Sequence, residues 1–349
     1  MKKFFLLLLI VSLVFVAAAC ASDRGAPAAP DAGTPGQEDS LVFAFIIPAL
    51  DAAWYVDIVD GFRFAAEEVG AEIMVLSSEY DADREIANIA LTITEQVDGV
   101  VMFSFNETGA ALAAQMLEDA GIPLVVPDSV GEVLAHDANI VAAVDFDWYG
   151  MGEMYAEWMA ENTTGDFAII AGVLEHFPVI HVNQGMADRS AALGVNNLVQ
   201  VIAADYVPAR AAAAAEDLIT GGLDFETIFV MNEDMAVAVV RVLDARGVLN
   251  NPYRVITQNG QDVGIELVRQ GELSMTISSS PGLSGYMCFR ILYSYVHGVI
   301  DWTNRQIMIP VAIVDYDAAI DPDPRIVIPW TRNPIFRELI QESYPELIW

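Results

Sequence analysis

The chain has 349 residues, 54% of them hydrophobic, which is enough for two lobes of ordinary domain size and excludes global disorder. Its formal net charge of −33 excludes the basic footprint that nucleic acid requires and disfavours docking on a bare anionic membrane. No lysine follows Lys3, which removes a Walker lysine, a Schiff-base lysine and a lysine general base together.

Met1-Lys2-Lys3 is a charged opening, and Phe4–Val16 is an apolar stretch too short for a comfortable membrane span. Ala17-Ala18-Ala19 completes a secretory signal peptide over residues 1–19. Cys20 follows at once, as in a bacterial lipobox, where that cysteine is lipidated and becomes the mature N-terminus. A lipobox usually has leucine three positions before the cysteine, and Ala17 stands there. A plain secretory signal with an incidental cysteine is the alternative reading. Residues 21–40 are rich in Ala, Pro, Gly, Asp and Ser, so 20–40 reads as a lipid-anchored flexible linker. The other cysteine, Cys288, lies in the apolar run Tyr286-Met287-Cys288-Phe289 and reads as a buried, inert thiol. With Cys20 modified, no intramolecular disulfide is available.

Leu41–Ile47 is apolar on both faces and too short for a helix, which is how a central parallel strand reads. Pro48 ends it. Asp51, Trp54 and Tyr55 follow, and Ile58, Phe62, Ala65 and Val69 recur at helical spacing up to Gly70. The plan repeats: strand Glu72–Leu76, helix Asp83–Val97, strand Gly99–Phe103, helix Glu107–Ala120, and strand Ile122–Pro127 ending at Asp128. Such alternation implies a parallel sheet with helices on both faces. Ser129–Asn139 has no amphipathic helix, yet a strand follows at Ile140–Val144. A βαβ crossover usually needs a helix, so this gap suggests passage from one sheet to another. From Asp147 the plan restarts with a helix to Asn162, strand Phe167–Gly172, helix Val182–Leu193 and strand Val199–Ala203. Helix Ala209–Thr220, strand Thr227–Val230, helix Glu233–Arg246, strand Arg254–Gln258 and helix Gly264–Arg269 come next. Strand Leu273–Ser278, helix Leu283–Val299 and a single strand Gln306–Val314 close the pattern, and residues 321–349 form a tail of no assigned role.

Several stretches together resemble the ribose/galactose-type (type I) periplasmic binding proteins of sugar ABC transporters. They are Pro48-Ala49-Leu50-Asp51-Ala52-Ala53-Trp54-Tyr55, Val97-Asp98-Gly99-Val100-Val101, Gly121-Ile122-Pro123-Leu124-Val125-Val126-Pro127-Asp128 and Val230-Met231-Asn232-Glu233-Asp234-Met235-Ala236. The resemblance covers about residues 41–315 and implies an α/β fold of two doubly wound parallel-sheet lobes joined by a three-strand hinge. It implies lobe one over 41–143 plus 280–309 and lobe two over 144–279 plus 310–320, with crossings near Val144, Ser279–Ser280 and Ile309–Val311. It also implies a ligand between the lobes. Trp54 and Tyr55 would offer flat faces to a sugar ring, with Tyr206 completing the sandwich from the second lobe. Asp128 would accept hydroxyl hydrogen bonds at a strand end, and Asn232 would suit vicinal hydroxyls. For each of these the bland alternative is structural: a hydrophobic staple for the aromatics, a cap for Asp128, and the N-cap of the Glu233 helix for Asn232. Asp51 stands beside the aromatics. Asn259 stands where the family usually has aspartate, and Ser104 and Ser279 where it often has amides. The family's arginine in the second lobe is missing from Val179-Ile180-His181-Val182-Asn183-Gln184-Gly185, so His181 or Asn183 is expected to reach the ligand.

Catalytic patterns are missing. Gly282-Leu283-Ser284-Gly285 fails the nucleophile-elbow pattern, and Gly150-Met151-Gly152 lacks the third glycine of a dinucleotide loop. The four histidines, His136, His176, His181 and His297, have no zinc spacing. Asp81-Ala82-Asp83 and Asp315-Tyr316-Asp317 lack calcium-loop register and read as solvated acidic faces. The expectation is therefore an exported, lipid-anchored, monomeric binding protein that is not an enzyme and has no metal or cofactor. It would capture a sugar or polyol and deliver it to an ABC permease. A sensor subunit for a membrane kinase or chemoreceptor, or a binder of a nucleoside or amine, is the alternative.

Overall fold

The computed structural model describes residues 40–104, 107–127, 139–321 and 336–349. Strand β1 (Val42–Ile47) leads into helix α1 (Ala53–Val69). Gly70 ends that helix at φ 70°, where its N–H closes on the Ala66 and Glu67 carbonyls, a left-handed cap that glycine adopts without strain. The chain continues through β2 (Glu72–Ser77), α2 (Ala82–Thr94), β3 (Gly99–Met102), α3 (Glu107–Ala120), β4 (Leu124–Pro127) and β5 (Ala142–Asp145). Next come α4 (Trp148–Asn162), β6 (Phe167–Ala171), α5 (Phe177–Leu193), β7 (Leu198–Ala203), α6 (Pro208–Thr220) and β8 (Thr227–Val230). Then follow α7 (Glu233–Ala245), β9 (Arg254–Asn259), α8 (Asp262–Arg269), β10 (Met275–Ser278) and α9 (Pro281–Val296). The described elements end with β11 (Arg305–Met308), β12 (Ala312–Asp315), α10 (Tyr316–Ile320) and α11 (Phe336–Ser343).

The strands form two six-stranded sheets, ordered β11-β5-β4-β3-β1-β2 and β12-β10-β9-β8-β6-β7. Every pairing is parallel except β12 on β10. The period-two geometry of β1 sorts its side chains between two cores. Phe43, Phe45 and Ile47 pack with Phe62 and Phe289 on one face of the sheet. Ala44 and Ile46 pack with Ile89, Ala113 and Leu117 on the other. This is the doubly wound architecture expected from the alternation of elements.

Glycines set the closest helix contacts. A Cβ at Gly61 of α1 would lie 1.8 Å from the Gly282 carbonyl oxygen of α9, and one at Gly285 would lie 1.8 Å from the Ile58 carbonyl oxygen. In the second lobe Gly152 and Gly185 bring α4 and α5 together in the same way, at 2.3 Å from the Val182 and 2.2 Å from the Tyr149 carbonyl oxygens.

The chain passes between sheets after β5, after β10 and between β11 and β12. Two expectations are corrected here. The strand after the helix-free gap does not open a new sheet: β5 pairs parallel with β4, and the passage comes beyond Asp145. The single strand expected over Gln306–Val314 is two strands, β11 beside β5 and β12 beside β10, separated by Ile309-Pro310-Val311. Proline cannot donate to a ladder, and the run changes sheets where Pro310 stands. Helix α5 also starts earlier than its periodicity suggests, with Pro178 in its first turn, where a missing N–H costs nothing. Asp81 and Asp315 cap α2 and α10 by accepting from the Arg84 and Ala318 amides, so each has a structural role besides its solvation.

The tail packs on lobe one. Ile340 and Leu347 are buried, the Ile348 N–H donates to Ser294 Oγ at 2.8 Å, and Trp349 stacks on Tyr286 with centroids 6.5 Å apart. Glu68, near the end of α1, accepts from the Tyr286 hydroxyl at 2.8 Å and pairs with both Arg290 and Arg337. Arg290 is only 2% exposed. Cys288 is fully buried, and burial pushes its thiol pKa up, as an inert thiol requires.

Candidate functional site

In open α/β sheets a ligand sits off the carboxyl ends of the strands. In lobe one these ends lead to Trp54 and Tyr55, in the first turn of α1, to Phe103 and Ser104 after β3, and to Asp145 at the end of β5. The adjacent aromatics part company. Trp54 is half-buried, with its ring 5.9 Å from Phe146 and 6.3 Å from Trp148. Tyr55 turns to Phe103, 5.5 Å away edge-on, and to Tyr80, with the two hydroxyls 3.3 Å apart. Trp148 is anchored by its indole N–H, which donates to Asp145 Oδ1 at 2.8 Å. Trp54 thus rests on an aromatic floor at the first crossing between lobes. Phe146, Trp148 and Asp145 were not foreseen. Their local pattern reads as a strand end and a helix start, and only the fold brings them under Trp54.

Asp51 is exposed in the loop before α1. Ser104 donates its hydroxyl to Glu85 at 2.7 Å, inside lobe one. Asp128 lies outside the described residues, as does Cys20.

In lobe two Tyr206 lies across Gly172, just beyond β6, so closely that a Cβ there would meet the ring at 2.3 Å. Its ring is 5.7 Å from His176. Asn232 caps α7, accepting from the Met235 amide at 3.0 Å. His181 turns back along α5, donating from Nδ1 to the Phe177 carbonyl at 2.9 Å, with its ring tilted against the Phe177 ring at 3.8 Å. Asn183 keeps an enclosed Oδ1 without a hydrogen-bond partner. Asn259 ends β9 with φ 107°, a left-handed conformation in which asparagine is among the commoner non-glycine residues. Ser279 is fully buried, with its hydroxyl unpartnered, and its N–H donates to the Asn259 carbonyl at 3.2 Å.

A cavity of about 470 Å³ opens between the lobes, with Ala53 and Asp57 of α1 on one side, Asn259, Gly260 and Gln261 on the other, and Ser280 at the second crossing. Of the expected residues, Asn259 lines it. Asp57 and Gln261 were not singled out by the sequence, yet Gln261 Nε2 donates to Asp57 Oδ2 at 2.8 Å across the lobes. Burial raises the Asp57 pKa above the ordinary carboxylate value. The Gln261 hydrogen bond opposes that rise, and the neighbouring charges of Asp60 and Asp262 add to it. Behind this wall Glu233 is fully buried. Desolvation pushes its pKa up to about 8 against the hydrogen bonds from Thr276, Gln261 and Gly260. Among the described residues no group of His, Cys, Asp or Glu has the geometry to hold a metal ion. No described helix is long and apolar enough to cross a membrane.

Two α/β lobes joined by three crossings, with a cleft between opposed strand ends, define a solute-binding protein. Residues 43–299 match the periplasmic binding protein domain family, and the chain belongs to it. It is similar to the ribose import binding protein of Haemophilus influenzae, at 25% identity over 254 residues, covering 71% of this chain and 82% of that one. Among solved structures, an ABC transporter periplasmic solute-binding protein from Actinobacillus succinogenes with bound D-allose superposes with a TM-score of 0.75 at 18% identity, over 81% of this chain and 100% of the other. An ABC transporter solute-binding protein from Bacillus halodurans with bound myo-inositol gives 0.71 at 21% identity, over 82% and 98%. The family is extracytoplasmic and solute-binding, in agreement with the fold class and function that the resemblance implied.

Proposed function

We propose that this protein captures a sugar or cyclic polyol between its lobes and presents it to an ABC permease. The observation that carries the reading is the cleft between opposed strand ends, with the Trp54 face after β1 on one side and the unpartnered Ser279 hydroxyl after β10 on the other. Trp54, resting on Phe146 and Trp148, supplies a face for the C–H side of a ring. Ser279 Oγ, just past the end of β10, is enclosed and unpartnered, as is Asn183 Oδ1 on α5, and a buried polar group without a partner is costly until a ligand satisfies it. In this reading Asp51, Tyr55, Ser104, Asp128, His181, Tyr206, Asn232 and Asn259 complete the binding surface, and Asp128 supplies charge-assisted bonds to hydroxyls. The relatives' ligands, ribose, D-allose and myo-inositol, point to the same class.

Binding proceeds without chemistry, so ligand recovered after long incubation is unaltered by mass spectrometry. The protein works as a monomer held to the membrane by a lipid on Cys20, a reading supported by the Ala-Ala-Ala-Cys junction and the linker after it. Cys20→Ala then releases it from the membrane fraction. The deciding experiment is a thermal-shift screen against pentoses, hexoses, inositols, nucleosides and amines, because a ligand that binds only the folded state raises the melting temperature by mass action. A rise confined to nucleosides or amines would overturn the sugar assignment.

A further inference from the structure

Glu233 and Asp234 both stand in the first turn of α7, where a negative charge such as that of the exposed Asp234 favours the helix dipole. Asp234 is exposed, as such a residue can afford to be, whereas Glu233 is fully enclosed. A carboxyl group is not taken out of water without compensation, and here the compensation comes from the turn between β9 and α8. Oε1 accepts from the Gly260 amide at 2.9 Å and from the Thr276 hydroxyl at 2.9 Å, and Oε2 accepts from the Gln261 amide at 2.9 Å. A Cβ at Gly264 would lie 1.9 Å from Oε1, so the carboxyl also fills the space against the start of α8.

The turn held this way has two faces toward the cleft. Asn259 lines the cavity, and the Gln261 side chain crosses to Asp57 of the other lobe. Gly260 takes φ 67° freely, but Asn259 before it holds φ 107°, which a residue with a side chain keeps only where the surroundings impose it. We propose that Glu233 is the positioning residue for closure of the lobes: it fixes the Gly260–Gln261 turn so that Gln261 meets Asp57 across the cleft and Asn259 stands against the ligand. This role rests on the cleft being the binding site, but it shows in the ligand-free protein.

The test is made on the full chain without ligand, using hydrogen exchange at the Gly260 and Gln261 amides and the radius of gyration by small-angle scattering. In the unaltered protein both amides should exchange slowly although they lie in a turn, and rapid exchange there overturns the proposal. Glu233→Gln keeps the shape but replaces one oxygen, which accepts from the turn, by an NH2 that cannot accept, so exchange at the two amides should accelerate about tenfold or more. Gln261→Ala should leave their exchange unchanged. Each variant should raise the radius of gyration by the same amount, and the double variant should add nothing further. Additive increases, or an unchanged radius in Glu233→Gln, would show Glu233 to be a packing residue of lobe two only. Should Glu233→Gln fail to fold, Gly264→Ala displaces the carboxyl while keeping both of its oxygens and is read by the same two measurements. A failure of every sugar to raise the melting temperature would count against the proposed function and leave these outcomes standing.

Discussion

Gly61→Ala tests how far the site depends on one helix crossing. The added Cβ would sit 1.8 Å from the Gly282 carbonyl oxygen, 2.6 Å from its carbonyl carbon and 2.9 Å from its Cα, against roughly 3.5 Å for an ordinary non-bonded contact. The obstacle is backbone, so no side chain can swing aside, and α1 must move away from α9. That movement opens the packing of Phe62 on Phe289, whose centroids are 5.4 Å apart. Overpacking of this kind costs about 1–3 kcal/mol, and a rigid backbone obstacle places this case near about 3 kcal/mol. At about 2–4 °C per kcal/mol for a lobe of this size, the melting temperature should fall by roughly 6–12 °C. Because α1 carries Trp54 and Asp57 in its first turns, affinity for whichever sugar stabilises the parent protein should fall as well. Differential scanning calorimetry and calorimetric titration measure the two. A variant that melts within 2 °C of the parent, on the same per-kcal scale, and binds normally would show that α1 and α9 slide freely, and the account of how the site is held would be wrong.

Other substitutions probe separate features. Glu68→Gln removes the carboxylate that pairs with Nη2 of Arg290, whose Nε and Nη1 are already unpartnered, and should destabilise by about 3 kcal/mol in denaturant melts, whereas Arg337→Ala at the exposed end of the same network should cost under about 1 kcal/mol; equal costs would refute the buried-cation account. For pH, Glu233 keeps its proton up to about 8 when folded but ionises near 4.5 when unfolded. The folded chain then binds more protons across that interval, so stability should fall as pH rises from about 4.5 to about 8 and level off above it. Asp234 and Tyr155 are the titratable neighbours of Glu233, and Glu233→Gln should flatten this part of the stability profile; an unchanged slope assigns it elsewhere. Trp54→Ala uncovers Phe146 and Trp148 and should lower both the melting temperature and the sugar affinity, the latter by about tenfold. Loss of stability with full affinity would make the ring purely structural.

Much of this fold is legible because buried parallel strands are short apolar runs and their helices are amphipathic, as β1 and α1 are. Asn232 was readable as a cap from its place before an acidic helix start. The sheet change at Asp145 was not, because residues 142–145 read alike in either sheet and only pairing decides. The division of Gln306–Val314 could have been suspected from Pro310 alone. The contact of Asp57 with Gln261 joins residues 204 positions apart, and nothing local to either residue announces it. Glu233 reads as one more acidic residue at a helix start. That it turns inward follows from the room left by Gly264 and from the amides of Gly260 and Gln261 that it receives, which belong to a segment well downstream. Glu68, Arg290 and the tail likewise meet only in three dimensions.

The three crossings carry a consequence for the order of assembly. The lobe whose first strand emerges earliest during synthesis also draws on α9, β11 and the tail, so residues 281–308 and 336–349 must follow before it can close. The second lobe is interrupted less. Residues 148–278 supply five of its six strands in one continuous stretch, and β12 adds only an antiparallel edge. Domains usually mature in the order they are made. Here the half begun first is the half completed last, so its sheet and helices stay open until residues 281–308 and 336–349 have followed.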